Sequence, residues 1–209
     1  MNKLIRLPQC DKEVPDLANK KQNKVRVIAG LLRGRTITFA DSPGLRPTGD
    51  RLRETLFSWL QPFIAGSRVL DLFAGSGALG FESFSRGAKH VTMVEKSRKV
   101  CAGLRQSVEQ LEVDEVAIIC ADALDLASNF AESGDISGPF DIIFVDPPFG
   151  EHLHQMTIDM LLQTQLLAED SLLVIESDRR AAQITVPAHW QLQKQKTAGE
   201  VQLQLYLVQ

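Results

Sequence analysis

The stretch from Arg68 onward constrains the fold most. Short apolar segments at 68–73, 90–95, 116–121, 140–146 and 171–177 alternate with helical stretches near 77–86, 97–110, 122–132 and 151–166. Short apolar strands separated by helices predict a mostly parallel sheet covered on both faces, an α/β architecture. The C-terminal part breaks the pattern. Trp190–Lys196 and Val201–Val208 are β-prone runs joined by Thr197-Ala198-Gly199-Glu200, which predicts an antiparallel hairpin closing the sheet.

What precedes Arg68 is different. Residues 1–23 are polar and aperiodic, with Pro8 and Pro15, and are expected to form a poorly ordered tail. In 24–60, Val25, Val27 and Ala29 alternate with outward positions, and Gly30 and Gly34 punctuate before the β-prone run Thr36–Phe39. A β-hairpin carrying Arg26, Arg33 and Arg35 is expected there. A Pro/Gly loop from Ser42 to Gly49 leads into a helix over Asp50–Leu60, with Leu52, Leu56, Trp59 and Leu60 on one face and Arg51 and Arg53 on the other. The expected organisation is therefore a tail (1–23), a basic extension (24–60) and an α/β body (61–209).

The net charge of −3 conceals a split: residues 1–60 hold 12 Lys and Arg against 6 Asp and Glu, whereas 61–209 hold 11 against 20. This asymmetry can place a basic nucleic-acid face on an acidic body, or it can be a solvated surface. No apolar run is long enough for a membrane span, and Pro8 and Gln9 interrupt the start before it could serve as a signal peptide. Cys10, Cys101 and Cys120 show no CxxC pairing and no zinc spacing, so they read as free thiols in a reducing cytoplasm, with no metal expected. Cys120, inside an apolar run, is expected in the core.

Val69 to Gly77 runs from a strand through Asp71-Leu72-Phe73-Ala74-Gly75-Ser76-Gly77 into a helix. Glycines there admit a ligand close to the backbone, and the helix start offers unpaired N–H groups. Gly75, Gly77 and Gly80 fit G-x-G-x-x-G, and Glu95, with Lys96 after it, lies 20 residues past Gly75, the spacing at which an acid meets a ribose diol. A nicotinamide dinucleotide and S-adenosylmethionine both satisfy this spacing. They differ at the loop: Asp71 would repel a pyrophosphate and attract a methionyl amine. Asp122, with Ala123 after it, either contacts an adenine amine or caps a helix.

The strand Phe140–Val145 ends in Asp146-Pro147-Pro148-Phe149. Two prolines cannot continue a central strand and remove two N–H donors. They leave an acceptor cluster, the Asp146 carboxylate and Pro147 carbonyl, at the sheet edge where ligands bind. Such a cluster suits a planar exocyclic amine, with Phe149 available to stack on the base. The alternative is a Pro-rich turn with Phe149 in the core.

Together these residues resemble the RsmD-type 16S ribosomal RNA guanine-N2 methyltransferases. The resemblance runs from about Val25 to Val208. It is carried by Arg26-Val27-Ile28-Ala29-Gly30, Gly34-Arg35, Ser42-Pro43-Gly44-Leu45-Arg46-Pro47-Thr48, Asp50–Phe57, Asp71–Gly80 and Asp146–Phe149. It implies a Rossmann-like class I methyltransferase fold with a seven-stranded sheet, and S-adenosylmethionine as cofactor. The cofactor would lie on Asp71, Phe73, Ala74, Gly75, Ser76, Gly77, Glu95, Lys96, Asp122, Ala123 and Asp146, with catalysis at Asp146, Pro147, Pro148 and Phe149. It further implies a monomer acting on one guanine of 16S rRNA in a small-subunit particle, with Arg26, Arg33, Arg35, Arg46, Thr48, Arg51 and Arg53 toward RNA. An adenine-amine DNA methyltransferase would share the tetrapeptide. A dehydrogenase would explain the glycines and Glu95 only, and a non-catalytic rRNA-binding assembly factor the basic segment only.

Overall fold

A computed structural model describes residues 23–39, 49–126, 138–148, 153–181 and 184–209. The expected N-terminal tail up to residue 22, Cys10, Arg46, Thr48 and Phe149 lie outside the described residues. In chain order the strands are β1 (Asn23–Arg26), β2 (Thr36–Phe39), β3 (Arg68–Asp71), β4 (His90–Val94), β5 (Val116–Ile119), β6 (Phe140–Val145), β7 (Leu167–Asp178), β8 (Gln191–Ala198) and β9 (Val201–Leu207). The α-helices are α1 (Asp50–Leu60), α2 (Ala78–Ser85), α3 (Arg98–Leu111) and α4 (Leu153–Gln163).

The seven strands after α1 form one sheet in the order β5-β4-β3-β6-β7-β9-β8. The first five run parallel, and β9 inserts antiparallel between β7 and β8. This is the Rossmann-like sheet with a reversed last strand that the sequence leads one to expect. Strand order reverses between β3 and β6, so a crevice opens at their C-terminal ends. Two apolar clusters cover the sheet. One gathers Leu56, Phe57, Phe81, Met93 and Phe144, and the other gathers Leu70, Val145, Ile158, Leu161 and Ile175.

β1 and β2 make a separate antiparallel two-stranded sheet. Its connection docks on the C-terminal end of α2. The Glu82 carboxylate accepts from the Ile28 N–H at 2.7 Å and the Ala29 N–H at 3.1 Å, and also from Arg86 Nε at 2.7 Å. Ser85 Oγ accepts from the Leu32 N–H at 2.8 Å and donates to the Ala29 carbonyl. Gly30 has φ +82°, and a Cβ there would overlap the Ser85 carbonyl, so the turn requires glycine.

Two sequence expectations need correction. Arg53 does not lie on the outer face of α1: it is 1% exposed, and its Nη2 donates to Asp50 Oδ1 and to the Arg26 carbonyl, each at 2.8 Å. Position 53 precedes Leu56, Phe57 and Leu60 by three, four and seven residues, which puts it on the buried stripe. Burial pushes its guanidinium pKa down, an effect the Asp50 charge opposes. The second is Cys120, which lies past the end of β5 and is exposed, while Cys101 is buried. The helix expected over 122–132 begins as a short 3-10 turn at Ala123–Asp125, and most of the rest lies outside the described residues.

Candidate active site

A cleft of about 450 Å³ lies at the C-terminal edge of the sheet. Its walls come from both sides of the switch point. From β3, β4, β5 and the segments after them come Asp71, Phe73, Ala74, Gly75, Ser76, Glu95, Lys96, Asp122 and Ala123. From β6, β7 and the β8–β9 turn come Asp146, Pro147, Pro148, Glu176, Asp178 and Glu200. The cleft thus unites nearly all the cofactor residues expected from sequence with the described part of the tetrapeptide. Gly77 is the exception. It is the N-cap of α2 at φ +76°, and a Cβ there would press on Leu104 and Phe81, so it serves helix packing rather than the cleft wall.

Each acidic group has a local cause. Glu95 follows β4, and its carboxylate accepts from the Gly75 N–H at 3.1 Å and the Ser97 N–H at 2.7 Å, which ties the glycine loop to the start of α3. Asp122 caps the 3-10 turn by accepting from the Leu124 N–H at 3.0 Å, and it also lines the cleft. The capping role weighed for it from sequence is thus present, and its place on the cleft wall leaves it within reach of a ligand. Asp71 ends β3, is 1% exposed, and its Oδ1 is buried without a hydrogen-bond partner among the described residues. A buried acceptor left unpaired beside a cleft is costly unless a ligand completes it.

The missing partner must be a donor, and a cation suits best. Burial raises the Asp71 carboxyl to about 7; backbone N–H groups of Phe73 and Gly80 oppose the shift and the Glu95 charge adds to it. The methionyl ammonium of S-adenosylmethionine satisfies both needs, and a pyrophosphate satisfies neither. Glu95 and Asp122, on neighbouring strand ends, would meet the ribose and adenine. Because the ammonium prefers the ionised carboxylate, binding releases a proton below pH 7. Affinity for S-adenosylhomocysteine, which keeps that ammonium, is expected to fall about tenfold per pH unit as pH drops below about 7. Titration calorimetry of the wild type and Asp71→Asn checks this, since the substitution should weaken binding and flatten its pH dependence. For folding, the native value exceeds the unfolded one, so Asp71 favours the folded state at low pH and that contribution is lost as pH rises through about 7.

Asp146 is raised well above the usual carboxylate range, first by burial and then by the nearby Glu176 and Asp71 charges. Glu176 did not emerge from the sequence reading, because an acid near the end of an apolar strand looks like an edge position. The signal for it was Glu176-Ser177-Asp178, polar residues at the C-terminal end of a central strand. His154 is a helix residue, and its Nε2 lies 2.8 Å from the Glu176 carbonyl, joining α4 to β7.

Comparison with known proteins agrees with this geometry. Residues 25–207 match the family model described as "Conserved hypothetical protein 95". The chain is 43% identical over 183 residues to "Ribosomal RNA small subunit methyltransferase D" of Escherichia coli (strain K12), covering 88% of this chain and 89% of that protein. The chain belongs to the RsmD-type methyltransferase family. The Haemophilus influenzae member is 41% identical over 187 residues, covering 88% and 94% of the two chains. The solved structure described as "Putative methyltransferase yhhF from Escherichia coli" superposes on this RsmD-type fold with a TM-score of 0.77 at 40% identity, covering 88% and 98%.

Proposed function

We propose that the chain methylates the N2 amine of one guanine in 16S rRNA, presented in a small-subunit particle to a cytoplasmic monomer. The coarser statement follows from the family: it is an S-adenosylmethionine-dependent ribosomal RNA methyltransferase. The observation supporting transfer to an exocyclic amine is the division of the cleft, with the buried Asp71 oxygen on one side of the switch point and the Asp146-Pro147-Pro148 acceptors on the other; the choice of guanine in 16S rRNA rests on the family resemblance.

Bound S-adenosylmethionine supplies an electrophilic methyl group on a sulfonium. The protein's part is positioning. An exocyclic amine has its lone pair delocalised into the ring, and its two hydrogens need acceptors. The Asp146 carboxylate and the Pro147 carbonyl can accept both, which turns the nitrogen lone pair toward the methyl. Orientation of this kind supplies roughly 7–11 kcal/mol in well-positioned systems. The amine becomes acidic as it is methylated, so its proton can pass to Asp146 or water without a strong base beforehand. Phe149 would stack on the base, worth about 1–3 kcal/mol.

The RNA face is proposed on Arg26, Arg33 and Arg35 of the hairpin, Arg51 of α1, and Arg46 and Thr48, which precede α1 in the chain. Gly49 and Leu52 at the start of α1 line the cleft, so Arg51, exposed between them, adjoins it. Each removed cation that touches phosphate should lower the magnitude of the salt slope of RNA binding by about 0.7. Filter binding of Arg33→Ala, Arg35→Ala and Arg51→Ala checks this, and three unchanged slopes would move the RNA surface elsewhere. Transfer of tritiated methyl to naked 16S rRNA and to small-subunit particles tests the substrate directly. The reading expects particles to be the better acceptor.

A further inference from the structure

We infer that Glu176 reads the target base: it accepts from guanine N1–H while Asp146 accepts from the N2 amine, and so selects guanine over adenine. This deepens the guanine reading above and rests on it. Parallel strands β6 and β7 pair Val145 with Ile175, so Asp146 and Glu176, the next residue on each, stand side by side at the C-terminal edge. Neighbouring residues in register project to the same side of a sheet. Both line the cleft, and Glu176 is 6% exposed. Asp71, paired with Phe144 on the other flank of β6, belongs to the cofactor side. Glu176 therefore lies on the side of Asp146 away from the cofactor residues, where a base held by Asp146 would extend.

The chemistry of the base edges decides what such a pair accepts. Guanine presents N1–H beside its N2 amine, two donor groups in a row. Adenine presents the N1 lone pair beside its N6 amine, and cytosine presents N3 beside N4, each a donor next to an acceptor. Two adjacent carboxylates complement the first edge and oppose the others. A cationic methyl donor in the adjoining half of the cleft opposes the upward shift of the Asp146 carboxyl and so favours its acceptor form. Asp146 alone holds any exocyclic amine; the second carboxylate adds the discrimination.

The test uses small-subunit rRNA fragments, assembled into particles, that carry either guanine or 2-aminopurine at the methylated position. 2-Aminopurine keeps the amine but replaces N1–H by a lone pair. Wild-type protein is expected to methylate guanine faster by roughly 5- to 150-fold, the worth of one good base contact. Glu176→Gln, whose amide can accept or donate, is expected to bring the two rates within about threefold while S-adenosylhomocysteine affinity stays unchanged. An undiminished preference in Glu176→Gln overturns the inference. So does a wild type that takes both bases equally, whether or not the variant folds. A wild-type product without N2-methylguanosine fails the guanine reading itself, a different and separately visible result.

Discussion

Asp146→Ala is expected to bind S-adenosylhomocysteine like the wild type and to lose at least about 10²-fold in single-turnover methyl transfer, the scale on which small misplacements act. Asp146 follows β6, between the cofactor side of the cleft and the Glu176 side. Removing its carboxylate leaves Asp71, Glu95 and Asp122, the other proposed polar cofactor contacts, in place, so cofactor binding should persist. The amine loses an acceptor for one hydrogen, and its lone pair is no longer turned toward the methyl. Alanine also relieves repulsion among three neighbouring carboxylates, since the charges of Glu176 and Asp71 both raise Asp146. Fold stability should therefore hold or rise slightly, which separates a chemical defect from a folding one. Turnover within about threefold of wild type would make Asp146 structural.

Glu82→Ala is expected to cost about 3–5 kcal/mol of stability, the range for breaking a buried ion pair by removing one partner. Glu82 is fully buried, and one carboxylate satisfies two backbone N–H groups and Arg86. Arg86 also lies over the Phe57 ring at 5.1 Å from its centroid. Deleting the acid strands three donors and leaves the basic hairpin held to α2 through Ser85. Urea unfolding measures the loss, and a decrease below about 1 kcal/mol would show that water or another acceptor replaces the carboxylate. Glu82→Gln, which keeps one acceptor oxygen, should lose less. Because α2 also carries the cap that ends the glycine loop, Glu82 couples the basic hairpin, proposed to face RNA, to the glycine loop through one helix.

Periodicity and turn chemistry made the sheet legible from the chain. Apolar segments recur between helices, and Gly199 sits in the hairpin turn between β8 and β9. That the proposed cofactor residues converge on one cleft was legible for a similar reason: they lie in sequence at the ends of consecutive strands, where spacing reports position. What spacing could not report is pairing across strands. Glu176 reaches Asp146 only through the β6–β7 register, 30 residues apart in the chain. Arg53 was misplaced because a charge on a helix reads as outward, whereas the Arg26 carbonyl and Asp50 give it buried partners. Glu82 looked like an ordinary helical acid until its backbone partners in the hairpin connection were visible. Cys120 failed in the opposite direction: an apolar run suggested burial, but β5 stops at Ile119.

The central claim is that this cleft methylates the N2 amine of a guanine in small-subunit rRNA. Nucleoside analysis of small-subunit particles after incubation with the protein and labelled S-adenosylmethionine tests it most directly. The account predicts label in N2-methylguanosine at one position, absent with Asp146→Ala. Label in N6-methyladenosine, or in duplex DNA in place of the particles, would contradict it.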